Sequence, residues 1–373
     1  MEIQTNYRPT KANVDLAAIK HNITSLRQHI QPDVAIIAVV KANAYGHGDV
    51  EVAGAAITAG ATMLAVATPD EAVHMRTNFK DIDILILGAT PTSFIPYASE
   101  NNISLTVFST DWLEHAESYL PLSKNVKTHI KIDSGMGRIG VTSKAELLTV
   151  YDKITAMQGF IVDGIFTHFA TADEQDTAYF DKQVCVFKEL LGALPEKPRV
   201  VHVANTATAL VKDPSLQFDA VRYGISMYGL LPSSYVGEIL PFALKPAFSL
   251  ETELVHVKQL QAGQSVGYGA TYTATEDCYI GTIPIGYADG MIRKLSGQEV
   301  LVQGQRAKIV GRICMDQSMI LLPKAYTVGE GVTLIGEQQG DRITLDDWAV
   351  KLETINYEVP CIITARVPRI YKL

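Results

Sequence analysis

Over its first two-thirds the chain alternates short apolar runs with longer amphipathic segments. The runs are VAIIAVV (34–40), TMLAV (62–66), IDILIL (82–87), ISLTV (103–107), THIKI (128–132), FIVDGIF (160–166), RVVHV (199–203) and FDAV (218–221). Nearly continuous apolar runs, rather than alternating ones, mark strands covered on both faces, as in a parallel sheet. The segments between them have helical length. DLAAIKHNITSLRQHI and DTAYFDKQVCVFKELLGAL carry apolar residues every three to four positions, as a helix packed on a sheet requires. Eight such units over about 200 residues predict a TIM-like (β/α)8 barrel within the α/β class. An open doubly wound sheet is the rival, because short strands are easily miscounted.

The pattern changes near Pro241 and Pro246. Beyond them AFSLETELVHVKQL, CYIGTIPIGY, EVLVQGQRAKIVG and VTLIGE are alternating or broken by glycine, and read as antiparallel strands joined by tight turns. TLDDWAVKLETI reads as one helix, with Thr344 as N-cap and acids in its first turn. The expected division is a barrel over residues 12–242 and a C-terminal mostly-β domain over 243–373, with residues 1–11 joining the latter.

Composition narrows the function. Apolar residues make up 47% of the 373 and charged residues 19%, an ordinary globular balance that argues against disorder. The net charge is −8 and no long basic run occurs, so nucleic acid and anionic membranes are poor partners. The start has no apolar core of signal-peptide type, and no stretch is long enough to span a bilayer. Cys185, Cys278, Cys314 and Cys361 are scattered, which suits a reducing cytoplasm better than a disulfide framework.

In a (β/α)8 barrel the reactive groups gather at the C-terminal ends of the strands. After the first run come Lys41 and Tyr45, within VVKANAYGHG. After the fifth come Asp133 and Arg138, within KIDSGMGRIG. The sixth is followed by His168, the seventh by Asn205 and Thr206, and the eighth by Arg222 and YGISMYG. Singly, each has a bland reading. A lysine at a strand end is usually solvated, a lone histidine is more often a hydrogen-bonded core residue, and the glycines of SGMGRIG could serve only turns of positive φ. The coincidence on one rim is the signal. No paired carboxylate of glycosidase type and no metal-ligand spacing occurs there. Glycine after the last strand is where such barrels hold phosphate on backbone N–H groups, here Gly224 and Ile225, with the Thr206 hydroxyl alongside. An amine at one strand end and a phosphate seat at another suggest pyridoxal 5′-phosphate, bound through a Schiff base.

AVVKANAYGHG, KIDSGMGRIG, FTHFATADE, HVANTAT, RYGISMYG, GYGATY, PIGYADG and GRICMDQ, in this order, resemble alanine racemase from about residue 8 to the last ten residues. The resemblance implies a barrel plus β domain and a cytoplasmic homodimer whose active sites each take residues from both chains. It implies interconversion of L- and D-alanine for peptidoglycan precursors. It makes Lys41 the cofactor's anchor and one base, and Tyr268, from the partner chain, the other. Arg222 faces the pyridine nitrogen and His168 orients that neighbourhood. Tyr45, Asn205, Thr206, Gly224, Ile225 and Tyr357 belong to the cofactor site, mostly around its phosphate. Arg138 holds the cofactor's phenolic oxygen and the substrate carboxylate, which Met315 also reaches, through its backbone N–H, from the partner chain. Tyr287 and Asp316 line the entrance. Lys131 matches a lysine that is carbamylated in relatives, where it holds Arg138. Thr206 departs from the more usual serine, and keeps the hydroxyl.

Racemisation removes the α-proton on one face and returns a proton on the other, which suits two opposed bases. An arginine at the ring nitrogen can only donate, leaving the ring a weaker electron sink and suppressing transamination. The rivals are a barrel amino-acid decarboxylase, which needs no opposed tyrosine, and a small pyridoxal carrier, which needs no β domain. A serine or broad-specificity racemase of the same fold is the runner-up.

Overall fold

A computed structural model describes residues 7–373. The chain forms two compact units. The first comprises Ala17–Ala44 and Asp49–Pro246. The second comprises the described residues up to Leu16, Tyr45–Gly48 and Ala247–Leu373. Of the expected 1–11 contribution, residues 1–6 lie outside the described residues.

The first strand, β1 (Lys11–Asp15), belongs to the second unit. The eight strands of the first unit are β2 (Ala35–Val39), β3 (Met63–Val66), β4 (Asp83–Ile86), β5 (Ile103–Val107), β6 (Val126–Lys131), β7 (Phe160–Phe166), β8 (Val200–His202) and β9 (Ala220–Tyr223). They pair in parallel in the order β8-β7-β6-β5-β4-β3-β2-β9. The Asp219 and Arg222 amides donate to the carbonyls of Val201 (3.0 Å) and Ala204 (2.9 Å), which brings β9 back against β8. The sheet is therefore a barrel and not the open doubly wound rival. Each apolar run is one of its strands, buried on both faces; β5 is buried at all five positions. The last run starts two residues late because Phe218 has φ 47°, a left-handed turn that an extended strand cannot include. The helix Ala178–Leu191 buries Phe180, Gln183, Phe187 and Leu190, one stripe of its surface.

In the second unit β1 pairs antiparallel with β10 (Phe248–Glu253) and parallel with β20 (Arg369–Lys372). The large sheet also contains β11 (His256–Leu260), β14 (Cys278–Ile283), β15 (Glu299–Val302), β16 (Gln305–Val310), β17 (Ser318–Leu322) and β18 (Gly331–Gln338). Thr344 caps the helix Leu345–Leu352 in a capping box with Asp347, as its sequence predicts. The strands β12 (Ser265–Val266), β13 (Tyr272–Thr273) and β19 (Asp341–Ile343) are too short to show a hydrophobic pattern, and two longer strands escape it. In β17, SMILL, burial alternates while polarity hardly does. In β20, RIYK, every position is at least partly exposed.

VVKANAYGHG is not a plain glycine-hinged loop. Ala42, Asn43, Ala44 and Tyr45 have φ between 50° and 54°, a turn of left-handed helix immediately after Lys41. Such a conformation costs roughly 1–2 kcal/mol per non-glycine residue. Within the barrel unit it is held by the Glu71 carboxylate, which accepts from the Ala42 amide (2.8 Å), and by Asn43 Oδ1, which accepts from the Asp49 amide (3.1 Å). Within the second unit the glycines that follow give closeness rather than hinge. Gly46 has φ 80°, and a Cβ there would lie 2.1 Å from the Pro360 carbonyl oxygen. Gly46→Ala is expected to lower unfolding stability by about 2–4 kcal/mol, read as a denaturation midpoint. An unchanged midpoint would mean that Pro360 yields freely.

Candidate functional site

The barrel unit brings nine of the expected residues to its strand ends. Lys41 follows β2 and is half-buried. Lys131 is the last residue of β6, and its amine is buried 4.7 Å above the Phe166 ring, with no hydrogen-bond partner. Burial first, then the charges of Arg222 and Arg138, lowers its pKa well below the usual lysine range. The loop after β6 is organised by Asp133, whose carboxylate accepts from the amides of Gly135 (2.9 Å), Gly137 (3.0 Å) and Arg138 (2.8 Å). That fixes the backbone from which the exposed Arg138 projects. Asn205 caps the short helix Thr206–Val211 by accepting from the Thr208 amide. Thr206 Oγ1 accepts from the Gly224 amide at 3.0 Å, so one of the two N–H groups expected for phosphate already has an internal partner. Ile225 begins the turn that follows.

Arg222 is the centre of this arrangement. It is 4% exposed. Its Nη1 donates to His202 Nδ1 (3.0 Å), and its Nη2 to the carbonyls of Thr167 (2.8 Å) and Val203 (3.1 Å) and to His168 Nδ1 (3.4 Å). The His202 carbonyl accepts from Nη1 as well. None of these bonds uses Nε, and every acceptor is neutral. Burial and the charge of Arg138 lower its pKa to about 9, so it remains a cation at neutral pH. His168 is held well below the usual histidine range by burial and by the charges of Arg222, Lys131, Arg138 and Lys41. It therefore accepts from Arg222 as a neutral imidazole.

Behind Arg222 runs a buried polar chain that the sequence reading does not find. His202 Nε2 lies 2.9 Å from His129 Nδ1, and His129 Nε2 lies 3.5 Å from Asp163 Oδ2. Arg199 grips Asp163 with two bonds of 2.7 Å. The His202 ring stacks on Phe166 at 4.7 Å. Both histidines are fully buried, and burial lowers both pKa values; Arg222 lowers His202 further, while Asp163 partly offsets the effect at His129. Burial alone would raise Asp163, but His129 and Arg199 hold it well below the carboxylate range. The available signal was a histidine inside each of two otherwise apolar strands, since a polar side chain buried there needs partners.

The second unit brings together two further groups. Tyr45 and Tyr357 face each other with ring centroids 6.1 Å apart. Burial, then Cys361, raises the pKa of Tyr45. The other group joins two loops: the Tyr287 and Ala288 amides donate to the carbonyls of Cys314 and Met315, both at 3.0 Å. Tyr287 and Met315 stand exposed there, and Asp316 accepts from Arg366 at 2.8 Å. Arg366 also approaches the fully buried Asp289 (3.4 Å), which Arg8 pairs at 2.8 Å. Tyr268 is 70% exposed on a short turn whose Gly269 packs against the Arg312 guanidinium. Arg8, Asp289, Arg312 and Arg366 are further residues that sequence reasoning missed. Among the described residues no helix is long and apolar enough to cross a membrane.

The fold and its rim chemistry define a class: a (β/α)8-barrel enzyme with an amine, guanidinium groups, hydroxyls and backbone donors gathered at its strand ends. Comparison narrows the class. Residues 14–232 match the model of the alanine racemase N-terminal domain and residues 247–371 that of the C-terminal domain. An alanine racemase of Anoxybacillus flavithermus is 52% identical, covering 98% of this chain and 95% of its own. The crystal structure of alanine racemase from Bacillus anthracis with bound L-Ala-P is 46% identical with a TM-score of 0.96, covering 99% of this chain and 96% of that one. A histidine racemase from Leuconostoc mesenteroides subsp. sake is 35% identical with a TM-score of 0.92, covering 99% of this chain and 100% of that one. The chain belongs to the alanine racemase family.

His129 and His202, both fully buried, carry a pH dependence of stability. Their folded pKa values are depressed, so above about 6.5, the unfolded value, they have no effect. As pH falls below it the unfolded chain takes up protons that the folded protein refuses, and stability drops by about 1.4 kcal/mol per pH unit for each. Calorimetric unfolding near pH 5.5 should show net proton uptake by this pair. A thermal midpoint that is flat from pH 7 to 5 would contradict their neutral burial.

Proposed function

We propose that this chain interconverts L- and D-alanine with pyridoxal 5′-phosphate, using Lys41 and Tyr268 as bases on opposite faces of the substrate's α-carbon. The donor set on the barrel rim carries the reading, because it fits each end of that cofactor. Lys41 meets the aldehyde, Arg222 offers a donor and no carboxylate to the ring nitrogen, and Thr206, Gly224 and Ile225 form the seat of the phosphate. Asn205 holds the turn that seats Thr206. The cofactor, when bound, withdraws electrons from the α-carbon and so makes its proton removable.

The remaining work belongs to the protein. Arg138, with the Met315 backbone N–H that we assign to the partner subunit, orients the substrate carboxylate. Arg222 has an unused Nε–H and a charge it does not give up, so it keeps the ring nitrogen an acceptor. His168, neutral, fixes the guanidinium plane. The amine of Lys41 takes or gives the α-proton on one face. The phenol of Tyr268, which we assign to the partner subunit of a homodimer, serves the other. Tyr287 and Asp316 restrict access to the site. Purified protein should convert L-alanine to D-alanine by chiral chromatography, and an inactive wild type would overturn the reading. Tyr268→Phe should lower racemisation by about 10²- to 10⁴-fold. In D2O it should still exchange the α-proton of one enantiomer while losing exchange for the other; equal loss for both would exclude separate facial roles.

We assign a carbamate to Lys131. Its amine is buried and unpartnered, and burial with the charges of Arg222 and Arg138 lowers its pKa well below the usual lysine range. A neutral amine attacks carbon dioxide, forms an N–C bond and releases one proton to water, leaving an anion that Arg138 stabilises. Protein equilibrated with ¹³C-bicarbonate should show a carbamate carbon signal that Lys131→Met lacks. The same signal in both proteins would refute the assignment.

A further inference from the structure

We propose that Asp163 is a positioning residue for Arg222, acting through His129 and His202 by fixing the tautomer of each so that every proton in the chain points away from Arg222. The proposal rests on the reading of Arg222 as the partner of a cofactor ring nitrogen, and extends it to residues that touch neither cofactor nor substrate.

The direction of the chain follows from its two ends. A guanidinium has five donors and no acceptor, so the Arg222 Nη1 to His202 Nδ1 contact requires Nδ1 to be unprotonated. A neutral His202 then carries its proton on Nε2 and donates it to His129 Nδ1, 2.9 Å away. His129 in turn must carry its proton on Nε2, which faces Asp163 Oδ2 at 3.5 Å, an ion-pair contact that leaves Nε2 without a closed hydrogen bond. An ionised carboxylate only accepts. The two ends thus demand the same polarity, and the opposite tautomer at either ring sets two donors against each other. Arg199, donating to both Asp163 oxygens, keeps the carboxylate ionised and in place.

Backbone geometry is fitted to this chain. The β6–β7 register shifts between Thr128 and His129: Thr128 pairs with Val162 and His129 with Gly164, leaving Asp163 as the extra residue of a β-bulge. The bulge puts Asp163 and Gly164 both against the His129 ring. A Cβ at Gly164 would lie 2.3 Å from His129 Nδ1, so the absence of a side chain there gives the imidazole its seat. Burial and the charge of Arg222 favour a neutral His202; burial and Arg199 favour a neutral His129, where Asp163 and Asp83 act in the opposite direction.

The test is the tautomeric state itself, read by ¹⁵N NMR on full-length holoprotein labelled at histidine. At pH 8 His129 and His202 should both be neutral with the proton on Nε2. A charged ring, or a proton on Nδ1 of His202, overturns the proposal without any variant being made. Asp163→Asn keeps the shape but turns one acceptor oxygen into a donor, so either His129 or Arg199 meets an N–H. It should move the proton of at least one ring and lower kcat on the order of tenfold, as removal of an outer partner that orients a histidine does, with KM changed less than twofold. Asp163→Glu, which restores a carboxylate, should return the wild-type tautomers and most of kcat. A fall in kcat with unaltered tautomers would show Asp163 to be merely structural. Absence of wild-type racemase activity would remove the functional reading while leaving the NMR assignment intact.

Discussion

One permanent positive charge, buried without a carboxylate, organises the barrel unit. Arg222 is almost wholly enclosed; it donates to carbonyls and imidazole nitrogens, and its guanidinium lies 5.5 Å over the Phe166 ring. A buried charge without hydrogen-bond partners would be very costly, so the acceptors around it are obligatory. Their neutrality is obligatory too, since a second cation at that distance would be repelled in a poorly screened interior. Lys131, His168 and His202 all respond in the same direction, with pKa values pushed down by burial and by this one guanidinium. A carboxylate next to Arg222 would neutralise it and hold any ring nitrogen in front of it in a different protonation state. Keeping the carboxylate at the far end of two histidines separates the two requirements: the network is anchored, and the charge of Arg222 stays available.

Strain is placed where aim matters. Lys41 is followed by consecutive left-handed residues that no glycine relieves, held by Glu71 and Asn43 within the barrel unit. A relaxed right-handed turn would carry the chain off in another direction. The bulge at Asp163 does for the interior what this turn does at the rim, since an extra residue in one strand redirects its neighbours at the expense of ladder regularity. Both devices sit beside proposed working residues, where unusual backbone is most often found.

These same features mark how far sequence alone could reach. The eight barrel strands were legible because burial on both faces leaves an unbroken apolar run. Lys41, His168 and Arg222 were legible because polar residues at the ends of such runs fall on one rim. The left-handed turn was not, because Ala-Asn-Ala-Tyr carries no local preference for positive φ beyond that of asparagine. His129 and His202 were hidden inside runs read as core, their pairing being a matter of neighbouring strands and not of spacing along the chain. Thr206 and Gly224 were both expected at the phosphate, but their bond to each other depends on how β8 and β9 adjoin. In the second unit, β20 is too exposed to leave a hydrophobic imprint.

The fold does not by itself select the amino acid. A relative named for histidine shares this architecture over 99% of the chain, and the proposed chemistry occurs at the α-carbon and carboxylate that all amino acids possess. Side-chain choice must then come from the few groups that meet the substituent, each methylene being worth only about 1–3 kcal/mol of discrimination. Such modest terms count only if the walls stay still. In the second unit the loop bearing Tyr287 is tied to the loop bearing Met315 by two backbone bonds. Asp316 is held by Arg366, which Asp289 in turn holds from a fully buried position. Asp289 also accepts from the Gly286 amide, one residue before Tyr287. A single buried carboxylate therefore braces both sides of the proposed entrance, and rigidity supplied from behind lets small differences in side-chain size be felt.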